Sequence, residues 1–202
     1  MKKYCIYTDE VGYGAWAGPV VVCSVLSQEV ANAQIKDSIR DSKSLTKNAR
    51  YKLLHVIKQK HMFAIAWLHA VDIDKFGLRV ATDKAIVQSW SILLSRYKLN
   101  VQTNLFGERL LDIVIDGKYI PKTEHNVKSI INGDKNNLMI SYASIIAKET
   151  RDAYMCELHK IYKEYSWNSN VGYGTIKHRD AIAAYGVTKH HRKSYKPLQK
   201  YI

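Results

Sequence analysis

Short β-branched and aromatic runs alternate along this chain with long stretches of helical character, and that alternation limits the chain to a few fold classes. The runs predicted to be strands are residues 4–8, 20–26, 63–68 and 110–115. The stretches predicted to be helices are residues 46–60, 78–97, 138–165 and 175–185, the first behind an N-cap at Thr46. This pattern predicts an α/β fold with a mixed central β-sheet, helices on both of its faces and a C-terminal helical portion.

The length and composition are those of one globular unit. The 202 residues are 47% hydrophobic, which is enough for one substantial core. We therefore predict a single domain over residues 1–202, with the basic segment 189–200 in its C-terminal portion. The three cysteines have no CxxC spacing, so they indicate neither a disulfide framework nor a zinc site, and reduced thiols favour the cytoplasm.

The charge balance points to a polyanionic partner. The chain has 31 Lys and Arg residues against 18 Asp and Glu, a formal net charge of +13, and such a surface field attracts phosphate groups. Nucleic acid is the first candidate, and an anionic membrane is the alternative. No apolar stretch reaches the roughly 18 residues of a spanning helix. We therefore expect a cytoplasmic protein with no membrane partner.

Acidic side chains stand at the ends of two apolar strands. Asp9 and Glu10 follow one run and Asp116 ends another, so the carboxylates can meet at one edge of the sheet. They would repel one another without a cation, and Mg²⁺ or Mn²⁺ prefers such oxygen ligands. Asp152, on a helix and apart from its apolar stripe, can complete the cluster. Two ions about 3.5–4 Å apart would support in-line phosphodiester hydrolysis, as in nucleases; each acid alone would more simply cap a turn or helix.

Two glycine-rich segments can bring backbone close to a ligand. Gly12, Gly14 and Gly18 lie between the first two strands, and Gly172 and Gly174 flank Tyr173. Glycine allows close approach to a sugar or phosphate because it has no Cβ. The alternatives are ordinary turns for the glycines and a packing role for the tyrosine.

An ordered set of motifs, from Tyr4 to about Pro197, resembles the ribonuclease HII family. The motifs are Thr8–Gly14 with Ala17–Val21, Asp41–Leu45, Ile115–Gly117, Asn132–Asp134, Tyr142–Asp152, Gly172–Thr175 and His190–Tyr195. The resemblance implies a ribonuclease H-like fold, acting as a monomer on RNA/DNA hybrids and on duplex DNA that contains ribonucleotides. It also implies cleavage on the 5′ side of a ribonucleotide by two divalent ions, Mn²⁺ or Mg²⁺, leaving a 3′-hydroxyl and a 5′-phosphate. The catalytic and metal-binding residues that it implies are Asp9, Glu10, Asp116 and Asp152.

The same resemblance assigns the contacts with the substrate. The backbone of Gly12 to Gly14 would read the 2′-hydroxyl, the group that distinguishes RNA from DNA, and Tyr173 would pack on the sugar. Basic side chains would contact phosphates, with surface cations as the alternative. The predicted substrate-binding residues are Gly12, Tyr13, Gly14, Lys43, Ser144, Lys148, Tyr173 and Arg192.

Three positions depart from the family pattern by lacking a cation. Tyr13 stands where the family usually has arginine between two glycines, and Asn132 and Val171 stand where lysine is common. Fewer cations predict weaker binding or a shifted preference between single ribonucleotides and longer hybrids. The chain ends soon after Tyr195, so we expect no extended clamp-binding segment, and any clamp partner stays unknown.

Two other functions remain open at this stage. One is a non-catalytic protein that binds RNA/DNA hybrids, which the altered residue Tyr13 would favour. The other is a nuclease of related fold that cuts all-DNA duplexes, because the four acids alone do not specify a ribonucleotide.

Overall fold

A computed structural model describes residues 4–28, 46–99 and 111–202. The strands are β1 (Tyr4–Val11), β2 (Val20–Ser27), β3 (Met62–Leu68), β4 (Leu111–Asp116) and β5 (Val127–Ile130). The helices are α1 (Lys47–Lys60), α2 (Ala70–Phe76), α3 (Leu78–Arg96), α4 (Gly133–Asn136), α5 (Leu138–Ile161), α6 (Trp167–Asn170) and α7 (Ile176–Tyr185), and 3₁₀ turns lie at Lys163–Tyr165 and Lys196–Tyr201.

The strands form one mixed sheet in the order β3-β2-β1-β4-β5. The first three strands in the chain pair antiparallel, whereas β1 pairs parallel with β4 and β4 with β5. In the central parallel pair Thr8 lies opposite Ile115. The carboxyl ends of β1 and β4 therefore lie side by side at one edge of the sheet, as the predicted site requires.

Helices cover both faces of the sheet. Because side chains alternate along a strand, Ile6 packs with α3 residues such as Trp90, while Tyr7 packs with α5 residues such as Ile146. A third cluster, around Trp167 and Leu198, forms the core of the helical C-terminal portion. The predicted α/β fold with a mixed sheet between helices is confirmed.

Most predicted elements have the expected type. Thr46 caps α1, its hydroxyl accepting from the Ala49 N–H at 3.3 Å. The long C-terminal helix ends at Ile161 rather than at Tyr165, because Tyr162 leaves helical geometry and a 3₁₀ turn follows. The sequence patterns did not predict α2, β5, α4 or α6. Among the described residues, no helix has the length and apolar character needed to cross a membrane.

Candidate active site

Three of the predicted acids lie at the carboxyl ends of β1 and β4. Asp9 and Asp116 continue the alternation of Tyr7 and Val114, so both side chains face α5. Glu10 points to the other face, where it lines a cavity of about 280 Å³ beside α3; Asp116, as the last residue of its strand, also borders this cavity. The central parallel pair therefore places carboxylates on both sides of one sheet edge.

Asp9 is the buried member of this group, with only 4% of its surface exposed. Its Oδ1 accepts from the Glu10 N–H at 2.8 Å, and its Oδ2 is buried without a hydrogen-bond partner among the described residues. Burial raises the pKa of Asp9 well above its usual range, and the charges on Glu10 and Asp116 raise it further. The Ser144 hydroxyl and the Glu10 N–H oppose that shift. A proton or a cation is needed to neutralise this carboxylate.

Asp116 is oriented by backbone donors. Its Oδ1 accepts from the Gly117 N–H at 2.8 Å and from the Gly133 N–H at 2.6 Å. A Cβ at Gly133 would lie 3.2 Å from the same oxygen, so this close approach favours glycine. The next residue, Asp134, is 3% exposed and lies in the first turn of α4. Reasoning from the sequence missed Asp134 as a site candidate, although its motif was recognised.

Asp152 lies in a different setting. Its Oδ2 pairs with the Lys148 ammonium at 3.0 Å, and its Oδ1 is buried without a hydrogen-bond partner among the described residues. Asp152 follows Ser144 by eight residues on α5, which is about 12 Å along the helix axis. It lines a separate groove with Tyr51 and Trp67. The described contacts do not join Asp152 to the acid cluster, so its part in the site stays a prediction.

The donor set fits a hard divalent cation. In the part of the chain that the structure describes, no three His, Cys, Asp or Glu side chains already enclose a metal position. The chemistry at the sheet edge is nevertheless that of Mg²⁺ or Mn²⁺, because every candidate ligand atom is a carboxylate oxygen. The unpartnered, buried Oδ2 of Asp9 is an oxygen that such an ion would satisfy.

The glycine-rich loop beside the acids is held by Arg192. This guanidinium is fully buried, and it donates to the carbonyls of Gly12 at 2.7 Å, Tyr13 at 2.8 Å and Gly18 at 3.0 Å. The Tyr195 hydroxyl also donates to the Tyr13 carbonyl, at 2.7 Å. The structure thus corrects the prediction of a direct phosphate contact, because Arg192 is enclosed by the loop and most of its donors are used there.

A second buried guanidinium supports the same loop from α5. Arg151 donates to the carbonyls of Pro19 at 2.8 Å, Val171 at 2.8 Å and Ala17 at 3.1 Å. Burial, with the nearby charge of Arg192, lowers the pKa of Arg151 to about 10, so it stays charged at neutral pH. Gly12 has a φ of +92°, and a Cβ there would collide with Arg151 Nε. The conformation of the glycine-rich loop therefore depends on glycine at position 12 and on the guanidinium of Arg151.

Two tyrosines leave part of their rings exposed beside this loop. Tyr13 and Tyr173 are each 40% exposed, and Tyr173 Cε1 lies 3.9 Å from where a Cβ would stand on Gly14. The structure therefore brings Gly12, Tyr13, Gly14 and Tyr173 together, and their contact with a substrate stays a prediction. Ser144 is buried beside Asp9 and Lys148 pairs with Asp152. Lys43 lies outside the described residues.

Sequence comparisons identify relatives over nearly the whole chain. The family model described as "Ribonuclease HII" matches residues 6–198. The chain is 38% identical over 201 residues to a ribonuclease HII of Ehrlichia ruminantium (strain Welgevonden), covering 98% of this chain and 89% of the relative. It is 39% identical over 199 residues to a ribonuclease HII of Rickettsia akari (strain Hartford), covering 96% and 94%.

Solved structures share the fold at lower identity. The ribonuclease H2 of Pyrococcus horikoshii aligns with a TM-score of 0.69 and 20% identity, covering 98% of this chain and 96% of that one. The PCNA:RNase HII complex from Archaeoglobus fulgidus gives 0.67 and 20%, covering 97% and 96%. Bst-RNase HIII in complex with Mn²⁺ gives 0.69 and 17%, covering 99% and 69%.

Proposed function

Because the chain belongs to the ribonuclease HII family, whose members are ribonuclease H endonucleases, we propose that it hydrolyses the RNA-containing strand of RNA/DNA hybrids and cuts on the 5′ side of ribonucleotides embedded in duplex DNA. The products would be a 3′-hydroxyl and a 5′-phosphate, and the protein would act as a cytoplasmic monomer. The observation that supports the proposal is the placement of Asp9, Glu10 and Asp116 at the ends of neighbouring strands, beside a glycine loop that Arg192 holds.

The acid cluster would hold two divalent ions, Mn²⁺ or Mg²⁺. Asp9 would be a ligand, since it is the buried acid whose pKa the charges of Glu10 and Asp116 both raise. The structure of Bst-RNase HIII with Mn²⁺ supports this type of ion. Bound ions would activate the attacking water and stabilise charge on the leaving oxygen. The two backbone donors on Asp116 would hold that carboxylate in a ligating orientation.

The glycine loop would read the sugar through its backbone. The Gly12 and Tyr13 carbonyls are drawn inward to Arg192, and in a trans peptide the N–H points opposite to the carbonyl. The N–H groups of Tyr13 and Gly14 therefore face away from the buried guanidinium. Such donors can bind a 2′-hydroxyl, which deoxyribose lacks. Tyr173, packed against Gly14, would lie against the same sugar.

Three labelled duplexes test this function directly. They are an all-DNA duplex, a DNA duplex with one ribonucleotide and an RNA/DNA hybrid, each incubated with Mg²⁺, Mn²⁺ or EDTA, with the cut ends mapped. We expect metal-dependent cutting of the two ribonucleotide-containing duplexes, on the 5′ side of the single ribonucleotide. Binding without cutting would support the non-catalytic alternative, and cutting of the all-DNA duplex would support a DNA nuclease.

The fourth carboxylate can be identified with a matched pair of variants. The sequence predicts Asp152 as this carboxylate, whereas the geometry favours Asp134. The N–H of Gly133, next to Asp134, donates to Asp116, while Asp152 is paired with Lys148. Asp134→Asn and Asp152→Asn each delete one charge at nearly constant volume. Calorimetric titration with Mn²⁺ should show weaker binding for Asp134→Asn. If Mn²⁺ binding is weaker only in Asp152→Asn, Asp152 is the fourth carboxylate.

A further inference from the structure

The cavity beside the acids extends into a groove along α3. Of the described residues that line the cavity, the cations are Arg79 and Lys118, and the loop contributes Tyr13 there. Arg79 and Tyr119 also line an adjoining pocket, together with Lys84 and Lys122. We call the surface formed by Arg79, Lys84, Tyr119 and Lys122 the α3 groove. It begins at the catalytic acids and carries positive charge away from them.

The guanidinium of Arg79 is only partly paired, on a side chain that is 42% exposed at the groove. Its Nε and Nη2 atoms are buried and have no hydrogen-bond partner among the described residues. The facing carboxylate of Asp83 comes no closer than 3.5 Å to Nε, which is a weak ion pair rather than a hydrogen bond. Unpaired guanidinium donors are costly when desolvated. An incoming acceptor with two oxygens in one plane, such as a phosphate, would satisfy both donors.

Tyr119 presents a ring next to that guanidinium. The Arg79 guanidinium lies over the ring, and the tyrosine is 43% exposed. Its hydroxyl donates to the Asp83 carboxylate at 3.3 Å, which fixes the ring at the groove wall. Tyr119 stands three residues after Asp116, so the turn after β4 ties the ring position to the acid cluster. Exposed aromatic rings beside cations are how proteins hold nucleic-acid strands.

We propose that the α3 groove binds the sugar-phosphate backbone of the nucleic acid next to the cleavage site, with Arg79 on a phosphate and Tyr119 against a sugar or base. This inference rests on the proposed function, because that function makes the ligand of the adjoining acids a nucleic acid. Lys84 and Lys122 extend the positive surface along the same strand. The continuity with Glu10 and Asp116 favours the substrate itself over a separate ligand.

Salt-dependent binding provides the test, with a matched control on the same helix. Arg79→Gln and Arg96→Gln each remove one guanidinium from α3, but Arg96 is exposed and about 25 Å further along the axis. Affinity for a labelled duplex would be measured in EDTA over a series of salt concentrations. Arg79→Gln should make the logarithmic salt slope shallower by about one, as expected for one lost phosphate contact. Equal slopes for the two variants would overturn the proposal.

A duplex series with single uncharged methylphosphonate linkages locates the contact. One position near the ribonucleotide should weaken binding of the unmodified protein several-fold, yet leave Arg79→Gln unaffected. If every position weakens both proteins equally, Arg79 contacts no phosphate and the proposal fails. Lys122→Gln tests an exposed residue of the same groove. We expect it to make the salt slope shallower by a smaller amount. Because binding is measured without metal, its result is separate from that of the cleavage assay. Normal cutting with an unchanged salt slope would overturn only the proposal for the α3 groove. Absent cutting, with the expected change of slope, would overturn only the proposed function.

Discussion

Asp9 is a carboxylate that folding places in an unfavourable electrostatic setting. Its pKa in the unfolded chain is near 3.8, and burial together with Glu10 and Asp116 raises it in the folded state. A raised carboxyl pKa means that folding binds a proton, so stability falls as the pH rises from about 4 through the folded-state pKa. The metal-free protein therefore carries the full penalty once the pH exceeds that value.

Asp9→Asn should remove this penalty. At neutral pH in EDTA we expect the variant to melt at a higher temperature than the unmodified protein, and the difference should shrink toward pH 4. Added Mn²⁺ should raise the melting temperature of the unmodified protein, because a ligand that binds the folded state stabilises it, and should have little effect on the variant. Thermal melts over a pH series measure both effects. A variant less stable than the parent at neutral pH would contradict this view of Asp9.

Individual residues also show how much of the candidate site could be predicted from the sequence. Asp9, Glu10 and Asp116 could be proposed because strand ends can be recognised from local patterns, and the structure does place them at the ends of β1 and β4. Ser144, Lys148 and Asp152 lie along one side of α5, as their spacing predicts. Only the packing shows that Asp9 interacts with Ser144 on that side. The role of Arg192 depended on its burial and on distant partners, such as Gly12, 180 residues away. No local pattern contains that information.

At the scale of elements, the glycine loop depends on arginines from later parts of the chain. Arg192→Lys keeps the charge but cannot reach the carbonyls of Gly12, Tyr13 and Gly18 together. Leaving one or two buried carbonyls unpaired should cost about 2 kcal/mol or more. Urea unfolding would measure this loss. The ratio of cutting at a ribonucleotide over all-DNA should also fall, because the loop N–H groups lose their fixed direction.

A control variant separates the loop effect from a general loss of charge. Lys193 is the exposed neighbour of Arg192, and Lys193→Gln should leave both stability and the preference for ribonucleotides nearly unchanged. If Arg192→Lys behaves like Lys193→Gln, the buried guanidinium does not hold the loop.

The helical C-terminal portion contains a neutral histidine pair that predicts a pH effect. His191 Nδ1 accepts from the Thr188 N–H at 2.9 Å, and His191 Nε2 lies 3.1 Å from His178 Nε2, which accepts from the Trp167 indole at 3.0 Å. These partners assign a hydrogen to His191 Nε2 and none to His191 Nδ1. Burial and the nearby His178 lower the pKa of His191 to about 3, against 6.5 in an unfolded chain.

A histidine with a lowered pKa binds its proton on unfolding, so its contribution to stability is lost as the pH falls from about 6.5 toward 3. His191→Gln should reduce the slope of unfolding free energy against pH in that window by up to about 1.4 kcal/mol per pH unit. Chemical unfolding at a series of pH values measures it, with exposed His55→Gln as the control. An unchanged slope in His191→Gln would show that folding does not lower the pKa of His191.

Elements without a strong pattern were those that the sequence did not predict. The strand β5 has only four residues and no clean alternation of buried and exposed positions, and α4 is a single turn following the left-handed residue Asn132. Both are stabilised by tertiary neighbours, since β5 pairs with β4 and α4 packs against α5. Long elements such as α3 and α5 were predictable, since their apolar spacing persists over many turns.

At the scale of the whole molecule, the C-terminal portion holds the glycine loop of the candidate site. An isolated bridge pairs Ala17 with His191, and Arg151 joins α5 to the same loop. The cluster around Trp167 shares Ala17 and Met155 with that junction. The prediction of one domain over residues 1–202 implies that this portion and the sheet unfold together. The net charge of +13 predicts binding that weakens with salt whatever the duplex contains, so specificity must come from the loop and the acids.

Single-turnover cleavage of a duplex with one embedded ribonucleotide, by the unmodified protein and by Asp9→Asn in Mn²⁺, tests the central claim most directly. The unmodified protein should cut on the 5′ side of the ribonucleotide. Asp9→Asn should be slower by about a hundredfold or more, because losing a ligand of catalytic ions removes several kcal/mol of charge stabilisation and about 1.4 kcal/mol corresponds to a tenfold change in rate. Equal rates for the two proteins would contradict the claim that this acid cluster performs the reaction.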